Sequence, residues 1–190
     1  TEVYGDLVRG AGAASRLAEL LNETPAIAPP ASPVALPDPP RGQLAFERVT
    51  FRYPSRPDVA ALAEFSLVIE PGETVAIVGP SGAGKSTLFL LAERFHDPQV
   101  GTVKLDGVPL TSADPAQVRR RIALVPQEGV LFASSARDNL RYGQWDASDE
   151  DIWRAARAAN AEAFLRALPD GLDTFLGEDG ARLSGGQRQR

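Results

Sequence analysis

Gly79-Pro80-Ser81-Gly82-Ala83-Gly84-Lys85-Ser86 fits the pattern G-x-x-x-x-G-K-[ST]. It stands between an apolar, β-branched run at residues 74–78 and a helical pattern at residues 85–95. A strand before and a helix after is the context that gives this motif its meaning. Glycines let the backbone curl so that successive N–H groups face inward around phosphate oxygens. The helix that follows adds its positive N-terminal end. In such a loop Lys85 reaches the β and γ phosphates, and the Ser86 hydroxyl ligates Mg²⁺. A chance Gly-rich turn before Lys-Ser is the alternative, and it is a poor one. Lys85 is one of only two lysines, with Lys104, among 20 basic residues. The motif indicates a nucleoside triphosphate but not a use for it, since GTPases, kinases, helicases and transport ATPases share the loop.

Outward from the loop, strand and helix signals alternate, the signature of an α/β domain. Residues 44–51 read as a strand whose apolar parity slips between Phe46 and Val49, which predicts a bulge. Residues 65–69 read as a second strand, and 74–78 as a third of the kind buried in a parallel sheet. Residues 103–105 followed by Asp106-Gly107 predict a hairpin. A short helix is expected at 117–121, and another buried strand at 122–125. The Ala-rich stretch 148–168 predicts a helix, with Ser148 and Asp151 as its capping pair and Pro169-Asp170-Gly171 as its stop.

Upstream, seven of the 16 prolines fall within residues 25–42, a stretch that can hold neither helix nor central strand and reads as an extended linker. Before it, Leu7, Ala11, Ala14, Ala18 and Leu21 form one apolar stripe of a helix. That stripe suits either a weak amphipathic helix or the tail of a longer helix.

Composition closes off several classes. The 190 residues carry a net charge of −5 and contain no Cys, no Met and one His, His96. A disulfide scaffold, a Cys-based zinc site and a thiol nucleophile are excluded, as is a multi-His metal site. An acidic balance weighs against a nucleic-acid binder. No run of 18 apolar residues occurs and no signal-peptide pattern opens the chain. His96 reads as a surface residue at the end of the loop helix. The chain opens on Thr1, which suggests an internal piece of a longer polypeptide.

At the far end, Leu183-Ser184-Gly185-Gly186-Gln187 follows the loop, with Ser184 lying 99 residues after Lys85. A Ser and two glycines opening a helix again make an anion-binding N-terminus. LSGGQ, with Arg188-Gln189-Arg190 after it, resembles the signature motif of ATP-binding cassette (ABC) proteins, in their transporter branch. Other positions fall into the same pattern. Tyr53, in Phe51-Arg52-Tyr53-Pro54, resembles the aromatic residue that stacks on adenine, an interaction worth roughly 1–3 kcal/mol. Gln127, in Val125-Pro126-Gln127-Glu128, resembles the Q-loop glutamine that contacts Mg²⁺ and the attacking water. Gly177-Glu178-Asp179-Gly180 is similar to the loop that precedes the signature in exporters. Ala136 departs from the pattern, where Ile is more usual.

The resemblance covers about residues 43–190. It implies a P-loop ATPase with a mixed or parallel sheet core, an antiparallel β subdomain and a helical subdomain at about 128–182, incomplete at its C-terminal end. Residues 1–24 would be the tail of the last transmembrane helix and 25–42 the linker. The implied cofactors are ATP and Mg²⁺. ATP would be held by Tyr53, Gly79, Pro80, Ser81, Gly82, Ala83, Gly84, Lys85, Ser86, Thr87 and Gln127. Ser86 and Gln127 would face the metal, and Lys85 and Gln127 the chemistry. Ser184, Gly185, Gly186 and Gln187 would serve the nucleotide of a second cassette, in a homo- or heterodimer. The implied setting is the cytoplasmic face of the cell membrane, beside a transmembrane domain of the same chain, with no nucleic acid.

The activity implied is ATP binding and hydrolysis powering export. An ABC ATPase of DNA repair or chromosome maintenance is the alternative, but those separate the two motifs by long coiled-coil arms. A third reading is a nucleotide-binding module without hydrolysis. The strand-borne Asp-Glu pair, D-loop and switch His that follow the signature in the family are not among these residues. The 190 residues alone are therefore expected to bind ATP without turning it over.

Overall fold

The computed structural model describes residues 2–126, 129–181 and 183–188. It divides into two compact units, residues 1–124 and 125–190.

The first unit is built on a four-stranded antiparallel sheet. β1 (Leu44–Phe51), β2 (Leu62–Ile69), β3 (Val100–Leu105) and β4 (Val108–Pro109) lie in the order β2-β1-β3-β4. The expected bulge is present: β1 slips register against β2 between Phe46 and Val49, and against β3 between Glu47 and Thr50. Gly101 makes the slip possible. Its φ is +83°, and a Cβ there would stand 2.3 Å from the carbonyl oxygen of Arg48. β3 and β4 form the hairpin turned by Asp106 and Gly107, with φ of 51° and 81°, the left-handed pair of a tight hairpin turn.

Phe46, Val49, Phe51, Leu62, Val103 and Leu105 from this sheet pack on Leu88, Leu91 and Ala92 of α2 (Lys85–Ala92). Burying side chains of this size contributes about 1.5–3 kcal/mol each. α3 (Pro115–Arg119) starts two residues before the expected helix, because the Asp114 side chain accepts from Ala116 N and Pro115 sits in its first turn. α2 ends three residues short of the expected 95. Arg94 takes φ +53° there, with its guanidinium on Asp97 and on the carbonyl of Ala113.

Two expected strands form no ladder. Residues 74–78 and 122–125 run without assigned pairing among the described residues. Residues 74–78 still alternate, with Val75 and Ile77 half-buried and Val78 87% exposed. Ile77 and Ile122 pack against the core, while Val125 is 88% exposed. A β-branched apolar run marks residues suited to a sheet, but a strand also needs a neighbour to accept and donate its ladder bonds. The described sheet is thus antiparallel throughout, and the expected parallel ladder is absent from it.

The proline-rich stretch has no helix or strand, as expected, yet its second half is docked rather than free. Leu36 is 6% exposed in the core, and Val34 N donates to Ser112 O. The Asp106 carboxylate, its side chain 1% exposed, accepts from the backbone N–H groups of Arg41, Gly42 and Gln43. Upstream, α1 (Glu2–Leu21) is a 20-residue helix whose described side chains are all exposed, Leu17, Leu20 and Leu21 among them. No helix among the described residues is long and apolar enough to cross a membrane.

The second unit is helical. It contains α4 (Ala136–Arg141), α5 (Asp149–Ala158), α6 (Glu162–Arg166) and α7 (Gly185–Arg188), with a small core of Ala136, Ala156, Ala161, Leu165 and Leu176. Ala136 is 1% exposed there. Ser148 and Asp151 form the expected capping box. The single helix expected over 148–168 is two: Asn160 adopts φ +54° and breaks it between α5 and α6, a conformation that Asn tolerates better than most residues.

Candidate phosphate-binding site

The loop between residue 78 and α2 is shaped by turns that its sequence makes cheap. Ala83 N donates to Pro80 O, and Leu88 N to Gly84 O as α2 begins. Gly84 is the N-cap at φ 81°. A Cβ there would stand 2.4 Å from the carbonyl oxygen of Ala61, so only glycine fits. Lys85 folds its ammonium back over the loop, donating to Gly79 O at 2.8 Å and to Pro80 O at 2.7 Å. The Ser86 side chain is exposed beside it, and α2 has no acidic residue in its first turn. A cation, a hydroxyl and an eight-residue helix opening without competing carboxylates form a donor set suited to polyphosphate. Among the described residues no group of three or more His, Cys, Asp or Glu is placed to hold a metal ion. Of the described residues at this loop, the Ser86 hydroxyl could face Mg²⁺ alongside the phosphates it accompanies.

Tyr53 is brought to the same place. Its hydroxyl lies 3.0 Å from Thr87 Oγ1, and Thr87 is 4% exposed in the first turn of α2. The Tyr53 ring is half-buried against Phe51 and His96. His96, expected at the surface, is half-buried, and its ring lies 5.2 Å from that of Phe51. Nothing in the sequence spacing linked position 96 to position 53. Alternation does link Phe51 to Tyr53, two apart at the end of β1.

Gln127 lies outside the described residues. Ser184, Gly185, Gly186 and Gln187 belong to the second unit, where they open α7. Ser184 N donates to Gln187 Oε1 at 2.9 Å, and Gln187 N donates to Ser184 Oγ at 3.3 Å. This is a reciprocal cap, readable in the sequence as S-x-x-Q. Leu183 packs on the small helical core, while Ser184, Gly185 and Gly186 are exposed. The preceding turn, Glu178–Gly180, is fixed by Gly180 at φ +62°, where a Cβ would meet Leu131 at 2.5 Å.

Known proteins resemble this chain over most of its length. A family model described as "ABC transporter" matches residues 62–190. The mitochondrial potassium channel ATP-binding subunit of Rattus norvegicus is 45% identical over 190 residues, covering 99% of this chain and 26% of that protein. The ATP-dependent lipid A-core flippase of Chromobacterium violaceum is 55% identical over 150 residues, covering 79% of this chain and 26% of that protein. The solved structure of a bacterial Atm1-family ABC exporter with ATP bound superposes with a TM-score of 0.87 at 34% identity, covering 98% of this chain and 32% of that one. The chain spans about a quarter of the length of the curated relatives it matches.

Proposed function

The chain belongs to the ABC transporter family, whose model it matches over residues 62–190, and we propose that it is the ATP-binding part of an exporter. One observation carries this reading. A glycine-shaped loop holds the Lys85 ammonium over its own carbonyls at the start of α2, with Tyr53 tied by a hydrogen bond to that same helix.

In this reading residues 79–87 hold the phosphates. Lys85 balances charge on the β and γ phosphates, Ser86 faces Mg²⁺, and Tyr53 stacks on the adenine. Bound Mg²⁺ supplies charge neutralisation of the triphosphate. Gln127 would contact the metal and the attacking water. Ser184, Gly185, Gly186 and Gln187 would cap the nucleotide of a second cassette. Residues 1–24 would continue a membrane helix of the same chain, and residues 25–42 join it to the ATPase domain, which would lie at the cytoplasmic face of the cell membrane. The relatives differ in what their names say they serve, a lipid A-core flippase and a mitochondrial potassium channel, so what they share with this chain is the handling of ATP.

The 190 residues contain the phosphate-loop and signature groups that this reading assigns to nucleotide binding. The test is phosphate release by the whole protein in lipid vesicles. Mg²⁺-dependent release that disappears in Lys85→Ala supports the reading, and release unchanged in that variant overturns it.

A further inference from the structure

The Tyr53 side chain is held both by α2 and by the segment that follows it. Its hydroxyl is fixed at 3.0 Å to Thr87 Oγ1. Its ring stands nearly perpendicular to Phe51, at 4.9 Å and 77°, and to His96, at 5.6 Å and 84°. His96 in turn lies 5.2 Å from Phe51, tilted by 38°. The three rings therefore form a closed set, each in contact with the other two.

The segment carrying His96 is laced to the strand end that carries Tyr53. Gln99 N donates to Thr50 O at 3.1 Å. Arg52 N donates to Gln99 Oε1 at 2.7 Å, and Gln99 Nε2 donates to Arg52 O at 3.0 Å. A side-chain amide thus pairs with both backbone groups of the residue before Tyr53, as a neighbouring strand would. The loop leaving α2 grips this strand end twice, through Gln99 at the Arg52 backbone and through His96 at the Tyr53 ring.

We propose that His96 is a positioning residue for nucleobase recognition, holding the Tyr53 ring in the orientation in which it receives the base. The proposal rests on the reading of Tyr53 as the base-stacking residue. A half-buried ring at a strand end has rotamers to lose when a base stacks on it, and prior ordering removes that cost from binding. His96 supplies the ordering through an edge contact with the ring. It thereby ties base recognition to the same helix whose first turn holds the phosphates. Its effect falls on the base and not on the triphosphate, which distinguishes positioning from general support of the fold.

The experiment measures equilibrium binding of Mg-ATP and of Mg-tripolyphosphate, which has no base, to the whole protein. The variants are Tyr53→Ala, His96→Ala, His96→Phe and the double alanine variant. His96→Leu, which fills the volume without a ring, replaces His96→Ala if that variant does not fold. The expected result is a roughly threefold to tenfold loss of Mg-ATP affinity in His96→Ala, the size of a lost aromatic pair. Mg-tripolyphosphate affinity is unchanged, His96→Phe restores Mg-ATP binding, and the double variant is no weaker than Tyr53→Ala. Equal loss for both ligands in His96→Ala reduces His96 to structural support and overturns the proposal. Unchanged Mg-ATP affinity in His96→Ala alongside a loss in Tyr53→Ala also overturns it, while leaving the base-stacking reading intact. A Tyr53→Ala variant with wild-type preference for Mg-ATP over Mg-tripolyphosphate removes the base-stacking reading and the proposal together.

Discussion

Lys85 Nζ donates a hydrogen bond to the carbonyl oxygen of Gly79 at 2.8 Å. The last basic group of the loop is thus latched to its first residue, and Pro80 O accepts from the same ammonium. An ammonium carries three donors on a compact head. Two of them set its position over the curl, and one is left to point at an oxygen anion. A guanidinium has a planar fork and a different reach. Lys85→Arg is therefore expected to keep the charge yet weaken Mg-ATP binding by about tenfold or more, read by calorimetry. Wild-type affinity in that variant would show that charge alone matters and the latch does not.

Asp106 organises the end of the proline-rich stretch. Its buried carboxylate accepts from three successive backbone N–H groups, those of Arg41, Gly42 and Gln43, and Arg121 Nη1 lies 3.8 Å away. Asp106→Ala would leave those donors without their acceptor, at a cost of about 2–4 kcal/mol in the first unit. Chemical denaturation checks this. A loss below about 0.5 kcal/mol, the range of ordinary surface substitutions, would mean that the docked stretch does not depend on Asp106.

The helical unit is expected to be acid-sensitive. Hydrogen bonds hold four of its carboxylates below their usual pKa: from Ser134 to Asp138, from Ser148 to Asp151, from Arg166 to Glu162 and from Arg137 to Asp173. A depressed folded pKa contributes stability that is fully present above the unfolded value. That stability is lost as pH falls through the folded value. The loss therefore occurs below about pH 4, the usual carboxylate range. Both tryptophans, Trp145 and Trp153, lie in this unit, and Arg166 stacks over the Trp153 ring at 4.0 Å. Tryptophan fluorescence is thus the reporter. In Arg137→Ala, stability at pH 7 falls and its decline on acidification becomes shallower, because the Arg137 contacts that hold Asp173 below its usual range are gone. An equally steep decline would contradict the assignment.

Much of this was legible in the sequence, and the failures have physical causes. The Phe46–Val49 parity slip gave the bulge because side-chain direction alternates along a strand. The Ser148–Asp151 spacing gave the capping box because the cap is local. The strands expected at 74–78 and 122–125 failed as ladders because pairing depends on a neighbour that composition does not report. The break at Asn160 was hidden inside an Ala-rich run whose propensity favours helix. The loop of residues 79–86 was readable because its shape follows from its own glycines. The approach of His96 to Tyr53 was not, since it is made by tertiary packing between a loop and a strand end.

Ser184 separates two roles that the loop and the signature are proposed to divide. Ser184→Ala removes the acceptor of Gln187 N, loosening the first turn of α7 by about 1 kcal/mol. It is expected to leave Mg-ATP affinity at the chain's own loop unchanged. Association of two copies driven by a non-hydrolysable ATP analogue should weaken, as read by sedimentation. Loss of affinity in dilute, unassociated protein would place Ser184 with the chain's own nucleotide instead.

The most direct test of the central claim is calorimetric titration of Mg-ATP into the wild-type protein and into Lys85→Ala. Saturable binding in the wild type and none in the variant, with both folded by circular dichroism, is the result predicted. Equal affinity in the two would contradict the assignment of residues 79–87 as the phosphate site.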